Sequence, residues 1–378
     1  MTARLYGHLA EGLVLATSFL PAAGVIPFAG RIIRRFGVWR VLFASKIMNA
    51  LLALALLGAW STGSPWAVFG VNMLFSTSVV FFIVGSGVIL PKVVGFADLH
   101  RANILTNLAP SAMMIAGGVF IVFSGNAPPA STLFFVVAGG FVLSALAFWR
   151  VRLADEPEQS DATPEDPHDG HGLRHGIAHL LQNTMLLRAF LLRLTIYIGA
   201  GAQVLLTIFA EDVFEWGRAG IGLLVAARGL GIFVGPITVQ RWAGHVKRQT
   251  AVVFGIALLG FGYAGAALAA SYGIWAAAVV FVFGFAGTGT VRVLTMAALQ
   301  ERCEPRHLPH ILGLEQGVTA VVQSTAAIVI GAAVSQKAPH EAIVAAIIVG
   351  ALLIAAAAAW HWSTSGTGDP RPKQEPGP

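Results

Sequence analysis

Residues 341–361 read EAIVAAIIVGALLIAAAAAWH, and this stretch decides the fold class. It is 21 residues long and its only formal charge is Glu341 at the first position. A bilayer core about 30 Å thick is crossed by roughly 20 apolar residues in a helix. Barrel strands would be about ten residues long and alternate apolar with polar, and no such alternation is present here. The same kind of run recurs outward along the chain. Eleven stretches qualify as spans: 9–29, 41–60, 67–90, 103–124, 132–150, 190–210, 219–240, 250–269, 273–299, 309–334 and 341–361. Composition agrees, since 56% of the 378 residues are hydrophobic and 11% are charged. Soluble domains carry roughly 25% charged residues, which they need to coat their surface. The expected fold class is therefore all-α and polytopic. The single cysteine, Cys303, excludes an internal disulfide framework and a cysteine-only zinc site.

Basic residues in short loops and at span ends set the orientation. With the spans fixed, 19 of them fall on one side of the membrane, from the Arg31–Lys46 cluster through Lys92, Arg193 and Arg248 to Lys373 in the tail. The opposite side holds 3: Arg4, Arg218 and Lys337. The richer side is expected to be cytoplasmic, with the C-terminus inside and the N-terminus outside. The net charge of +6 thus reflects topology, and no nucleic-acid partner is expected. The first 20 residues make a poor signal peptide, because Arg4 is their only basic residue and the apolar run continues to Ala29.

The chain divides in two. Residues 154–187 form an expected cytoplasmic linker, dense in acid and proline from Asp155 to Pro167. Within it, Leu173–Leu187 has apolar residues at helical spacing and suits a helix on the membrane surface. Before the linker stand five spans (1–153) and after it six (188–361), followed by a tail (362–378). The halves resemble one another. A span ending near Gly30 precedes a basic loop, as does one ending near Gly235; the later loops around Leu99 and Leu308 correspond too. Internal repeats of this kind characterise secondary transporters that bind substrate midway between the halves.

The segment from Gly30 to Arg40, GRIIRRFGVWR, resembles the signature loop of the major facilitator superfamily. Gly30, Arg35, Phe36, Gly37 and Arg40 match its glycine, basic, aromatic, glycine and basic positions, whereas Arg34 stands where the family has an acid. That acid latches a cytoplasmic gate in the family, so the resemblance implies an altered latch here. The segments Leu90-Pro91-Lys92 with Asp98–Asn103, Ala210-Glu211-Asp212 with Gly220–Gly235, and Leu299-Gln300 with Glu304-Pro305 resemble the macrolide-efflux and siderophore-export branch. The resemblance implies a two-bundle fold of twelve helices in which the first span here matches the family's second. The family's first helix is then absent, by a start codon placed too late or in a true eleven-span variant. In the fifth helix, Ala109-Pro110 with Gly117-Gly118 matches the drug-antiporter motif in part.

Charged residues inside spans are costly and commonly have a partner or a task. Arg228 lies near the midplane of its span beside Gly229 and Gly231, and suits contact with an anionic substrate group, a coupling carboxylate or a structural partner. Arg292 and Glu315 lie at similar depth on consecutive spans, which makes an ion pair plausible, either static or acting as a gate. Glu11 is a candidate proton carrier if it faces the cavity. Gln203, Asn72, Asn107, Gln316 and Gln323 could hydrogen-bond substrate or join helices. The glycines at 229, 231 and 235 suit close helix packing rather than a dinucleotide fingerprint, since no strand precedes them. His168, His171, His175 and His179 sit beside glycines in the linker and are not read as a metal site. No nucleotide-binding loop, cofactor or metal is expected, and no catalytic residues.

The expectation is a monomeric secondary transporter of the cytoplasmic membrane. It would export a small amphipathic molecule by alternating access, driven by protons. A degenerate, non-transporting membrane protein is the competing reading, motivated by Arg34 and the missing helix.

Overall fold

Helices in this chain end where glycine, proline or charge interrupts the apolar runs. The computed structural model describes residues 8–94, 99–124, 130–150, 171–242, 247–303, 308–334 and 339–365. The first half contains α1 (His8–Phe36), α2 (Val38–Ser61), α3 (Pro65–Val94), α4 (Leu99–Phe123) and α5 (Ala130–Arg150). A short α6 (His171–Gln182) precedes the second half. There, α7 (Thr184–Gly201) continues through a turn into α8 (Val204–Ile208) and a π-helical turn (Phe209–Val213). The remaining helices are α9 (Gly217–Trp242), α10 (Arg248–Leu268), α11 (Ile274–Arg302), α12 (Leu308–Ala333) and α13 (Pro339–Ser365). The described residues contain no strand.

Nine helical stretches among the described residues are long and apolar enough to cross a membrane. The span expected at 132–150 appears as the shorter apolar run Ser131–Ala147, and that at 9–29 lies within the 29-residue α1. The chain is therefore an all-α, multi-pass membrane protein. Large aromatics stand exposed at helix ends, including Trp66, Trp149, Tyr272 and Trp362. Rings with an apolar body and a polar tip suit the headgroup level of a bilayer.

The repeat is visible in the packing. In the first half α2 packs on α3 and on α5, and α1 packs on α3. In the second half α10 packs on α11 and on α13, and α9 packs on α11. These are the same three contacts, with α1–α5 replaced in order by α9–α13. The two most extensive contacts between the halves, α1 with α12 and α4 with α9, exchange places under that substitution. Small residues permit both seams. A side chain on Gly12 would strike the Ala327 carbonyl of α12, and Gly118 and Gly222 meet backbone to backbone between α4 and α9. Gly117, by contrast, faces open space.

Gly30 lies inside α1, so it does not form the turn expected of it. Gly37 alone makes the turn, with φ 81°, a left-handed value that favours glycine. Arg35 and Arg40 beside it are exposed. The side chains of Glu11, Arg34 and Asn107 lie outside the described residues, as do residues 154–170 of the expected linker. Within that linker α6 forms where a surface helix is expected. Its Leu180 is buried against Leu186, Leu299 and Ile311.

Candidate functional site

The span after α6 begins earlier than its hydropathy suggests. Asn183 caps α7, accepting a hydrogen bond from the Leu186 amide at 3.1 Å. Arg193 is therefore nine residues, or about 13 Å, inside the helix. It is 4% exposed. Its Nε donates to Glu315 Oε1 at 2.6 Å, across from α7 to α12. Its Nη1 donates to the Arg292 carbonyl at 2.8 Å on α11. Glu315 is fully buried and also accepts from the Gln316 amide (2.9 Å) and the Thr319 hydroxyl (3.4 Å).

This corrects the expected pairing of Glu315 with Arg292. The expectation put Arg193 among the basic residues at the membrane face. Depth in the helix places it instead on the bundle's inner side. Lys46 is corrected likewise. With α2 starting at Val38 it lies eight residues in, about 12 Å. It is buried with its ammonium 3.3 Å from the Phe82 ring centroid. Two of the nineteen basic residues assigned to the cytoplasmic face thus belong to the interior. Asn183, a sequence-level helix start, was the signal that could have placed Arg193.

Gln203 sits at the break between α7 and α8, where the expected continuous span is interrupted. Discontinuous helices and π turns in membrane bundles commonly mark ligand sites. The break lies against α12, since Gly201 touches the Gln323 backbone, and Gln323 itself is buried. Arg228 reaches this break from α9, its Nη1 donating to Gln203 Oε1. Its guanidinium carbon also stands 5.4 Å from the Phe285 ring centroid. The ring is fixed by Tyr263 and Phe281, with centroids 5.8 and 5.7 Å away, and Tyr263 donates to the Gly199 carbonyl at 2.5 Å. Glycines set the position of α9. Gly229 meets Ser111 and Met114 of α4, while Gly231 and Gly235 meet the Val282 and Ala286 carbonyls of α11.

The arrangement gathers Arg193, Gln203, Arg228, Arg292, Glu315 and Gln323 within the second half. Asn72 stands apart, where its amide donates to Ser18 (3.0 Å) and Thr17 (3.3 Å), tying α3 to α1. Cys303 is buried at the end of α11.

The fold and these residues can now be set beside known proteins. No curated protein matches the chain in sequence. A structure of the xylose transporter XylE from E. coli, in a partially occluded inward-open conformation, superposes with a TM-score of 0.71 at 13% identity, over 98% of this chain and 91% of that one. An outward-facing bacterial homologue of the iron transporter ferroportin superposes with a TM-score of 0.66 at 12% identity, over 94% of this chain and 91% of that one. At such identities the likeness concerns the fold. The family model for the Major Facilitator Superfamily matches residues 6–327, most of the chain, and the protein belongs to that superfamily.

Proposed function

We propose that the chain is a secondary active exporter of a small amphipathic molecule, working by alternating access and driven by the proton gradient. It would act as a monomer in the cytoplasmic membrane with its C-terminus inside. The observation that carries this reading is the pair of seams. Two glycine-lined contacts, α1 on α12 and α4 on α9, are the most extensive between the halves. Backbones that meet without side chains between them can slide and rock at little cost. A polar cluster beside such a seam, centred on Arg228, would be exposed to alternate sides as the halves move. The clustering of basic residues at the expected cytoplasmic ends supports the orientation.

Everted membrane vesicles test the reading. Vesicles carrying the protein are expected to accumulate one or more of a panel of fluorescent amphiphiles when their lumen is acidified, and to release them on adding a protonophore. Accumulation equal to that of vesicles lacking the protein, across the panel, would overturn it. Arg228→Ala is expected to abolish accumulation while its level in the membrane stays at that of the parent protein. Full accumulation by that variant would reduce Arg228 to a packing residue.

A further inference from the structure

We propose that Arg228 and Arg292 together bind the anionic head, a carboxylate or phosphate, of an amphipathic substrate. The inference rests on the exporter reading and names the chemistry its cargo must carry. It begins from charge inside the second half. Arg193, Arg228 and Arg292 bring three positive charges into the spans around Glu315. That carboxylate is already engaged, one oxygen by Arg193 and Thr319 and the other by Gln316. The ion pairs among the described residues are Arg193–Glu315 and Arg248–Glu301, so neither Arg228 nor Arg292 enters one.

What the two arginines do have falls short of neutralising them. Arg228 donates to the neutral Gln203 and lies over Phe285. The side chains of Arg228 and Arg292 each keep a buried Nε without a hydrogen-bond partner. Arg292 follows Phe285 by seven residues, two turns along the same face of α11, and Arg228 stands over that ring. A buried donor left unmet is unfavourable, and an uncompensated charge in a membrane interior more so. An anion with two or three oxygens answers both conditions, because a guanidinium fork matches carboxylate and phosphate geometry. A neutral cargo can meet a donor but leaves both charges uncompensated.

The full chain in phosphatidylcholine nanodiscs provides the test, with thermal stabilisation as the readout. The probes are 1-naphthylacetate, 1-naphthyl phosphate and the neutral 1-naphthylacetamide. At least one anion is expected to stabilise the protein, with the amide far weaker. Arg228→Gln and Arg292→Gln should each weaken anion binding about 30-fold or more, the scale for truncating one side of a buried charge pair. Arg248→Gln, on the exposed pair, should leave binding unchanged. Absence of stabilisation by either anion, equal stabilisation by the amide, or an anion preference kept in both Gln variants would overturn the proposal. The wild-type comparison stands even if a variant misfolds. Repeating it with phosphatidylglycerol in the nanodisc separates two sources of the same chemistry. Undiminished stabilisation supports a free substrate; competition by the lipid would reassign the site to a lipid headgroup and overturn the substrate assignment. Failure here with vesicle accumulation intact would leave the exporter reading standing.

Discussion

Helices α3 and α11 hold equivalent places in the two halves, each packed by its neighbours in the same pattern. Yet 22% of the spanning part of α3 is buried, against 61% for α11. The same contrast, weaker, separates α2 from α10, at 39% and 56%. Sequence does not explain it, because both members of each pair are strongly apolar. Position does. Helix α7 lies on α11 and α12 and covers faces that nothing covers at the corresponding place among the described residues of the first half. The second half consequently builds a core of packed aromatics, and it is this half that holds the buried Arg193–Glu315 pair. Lipid is as apolar as leucine, so an uncovered face is tolerated in a membrane where water would forbid it. A polar cluster has no such freedom and must be enclosed.

The contrast can be broken most severely at Glu315. Glu315→Ala leaves Arg193 buried and unpaired, and is expected to cost about 3–5 kcal/mol. In detergent the protein should lose most of its resistance to thermal aggregation, measured by size-exclusion chromatography after heating. The double change Arg193→Met with Glu315→Leu removes both charges and should regain most of that loss. A double variant as unstable as Glu315→Ala would show that the pair does more than satisfy itself.

Core truncation comes next. Phe281→Ala on α11, where the ring is fully buried, is expected to cost about 3–5 kcal/mol. Leu74→Ala on α3, where the side chain is 58% exposed, should cost under about 0.5 kcal/mol. Equal shifts in the denaturation midpoint would dissolve the difference between the halves.

The seams offer a finer comparison. Gly118→Val places a branched side chain against the Gly222 backbone and is expected to cost roughly 1–3 kcal/mol. It should also slow vesicle accumulation, because α4 could no longer ride on α9. Gly117→Val, one residue away and facing open space, should change neither. The smallest effect belongs to the surface. Arg248→Gln breaks a pair of exposed partners on α10 and α11 and is expected to cost at most about 1 kcal/mol. Added salt should erase even that.

Much of this was legible in the residues. The spans were, because run length against bilayer thickness is a one-dimensional quantity. So was the repeat, carried by Gly30 and Gly235 and by Leu99 and Leu308, although Gly30 lies within α1 and Gly37 makes the turn. The packing purpose of Gly229, Gly231 and Gly235 followed from their placement inside an apolar helix. The partner of Glu315 did not follow. Hydropathy starts the sixth span at residue 190, and the cap at Asn183 starts the helix six residues sooner, which carries Arg193 inward. Nor did the break at Ala202–Gln203 follow, since an apolar run reads the same whether its helix is straight or interrupted.

The sequence by itself determined that this chain lives in a bilayer, how many times it is expected to cross, and that its two halves repeat. Each of these depends on local composition and spacing. Only the tertiary structure decided which charges meet, because Arg193 and Glu315 are 122 residues apart and their encounter depends on how α7 lies across α12. The same packing left Arg228 and Arg292 outside the ion pairs of the described residues. The physical reason is one of dimension: burial in a membrane is set along the chain, whereas neutralisation of a buried charge is set across it.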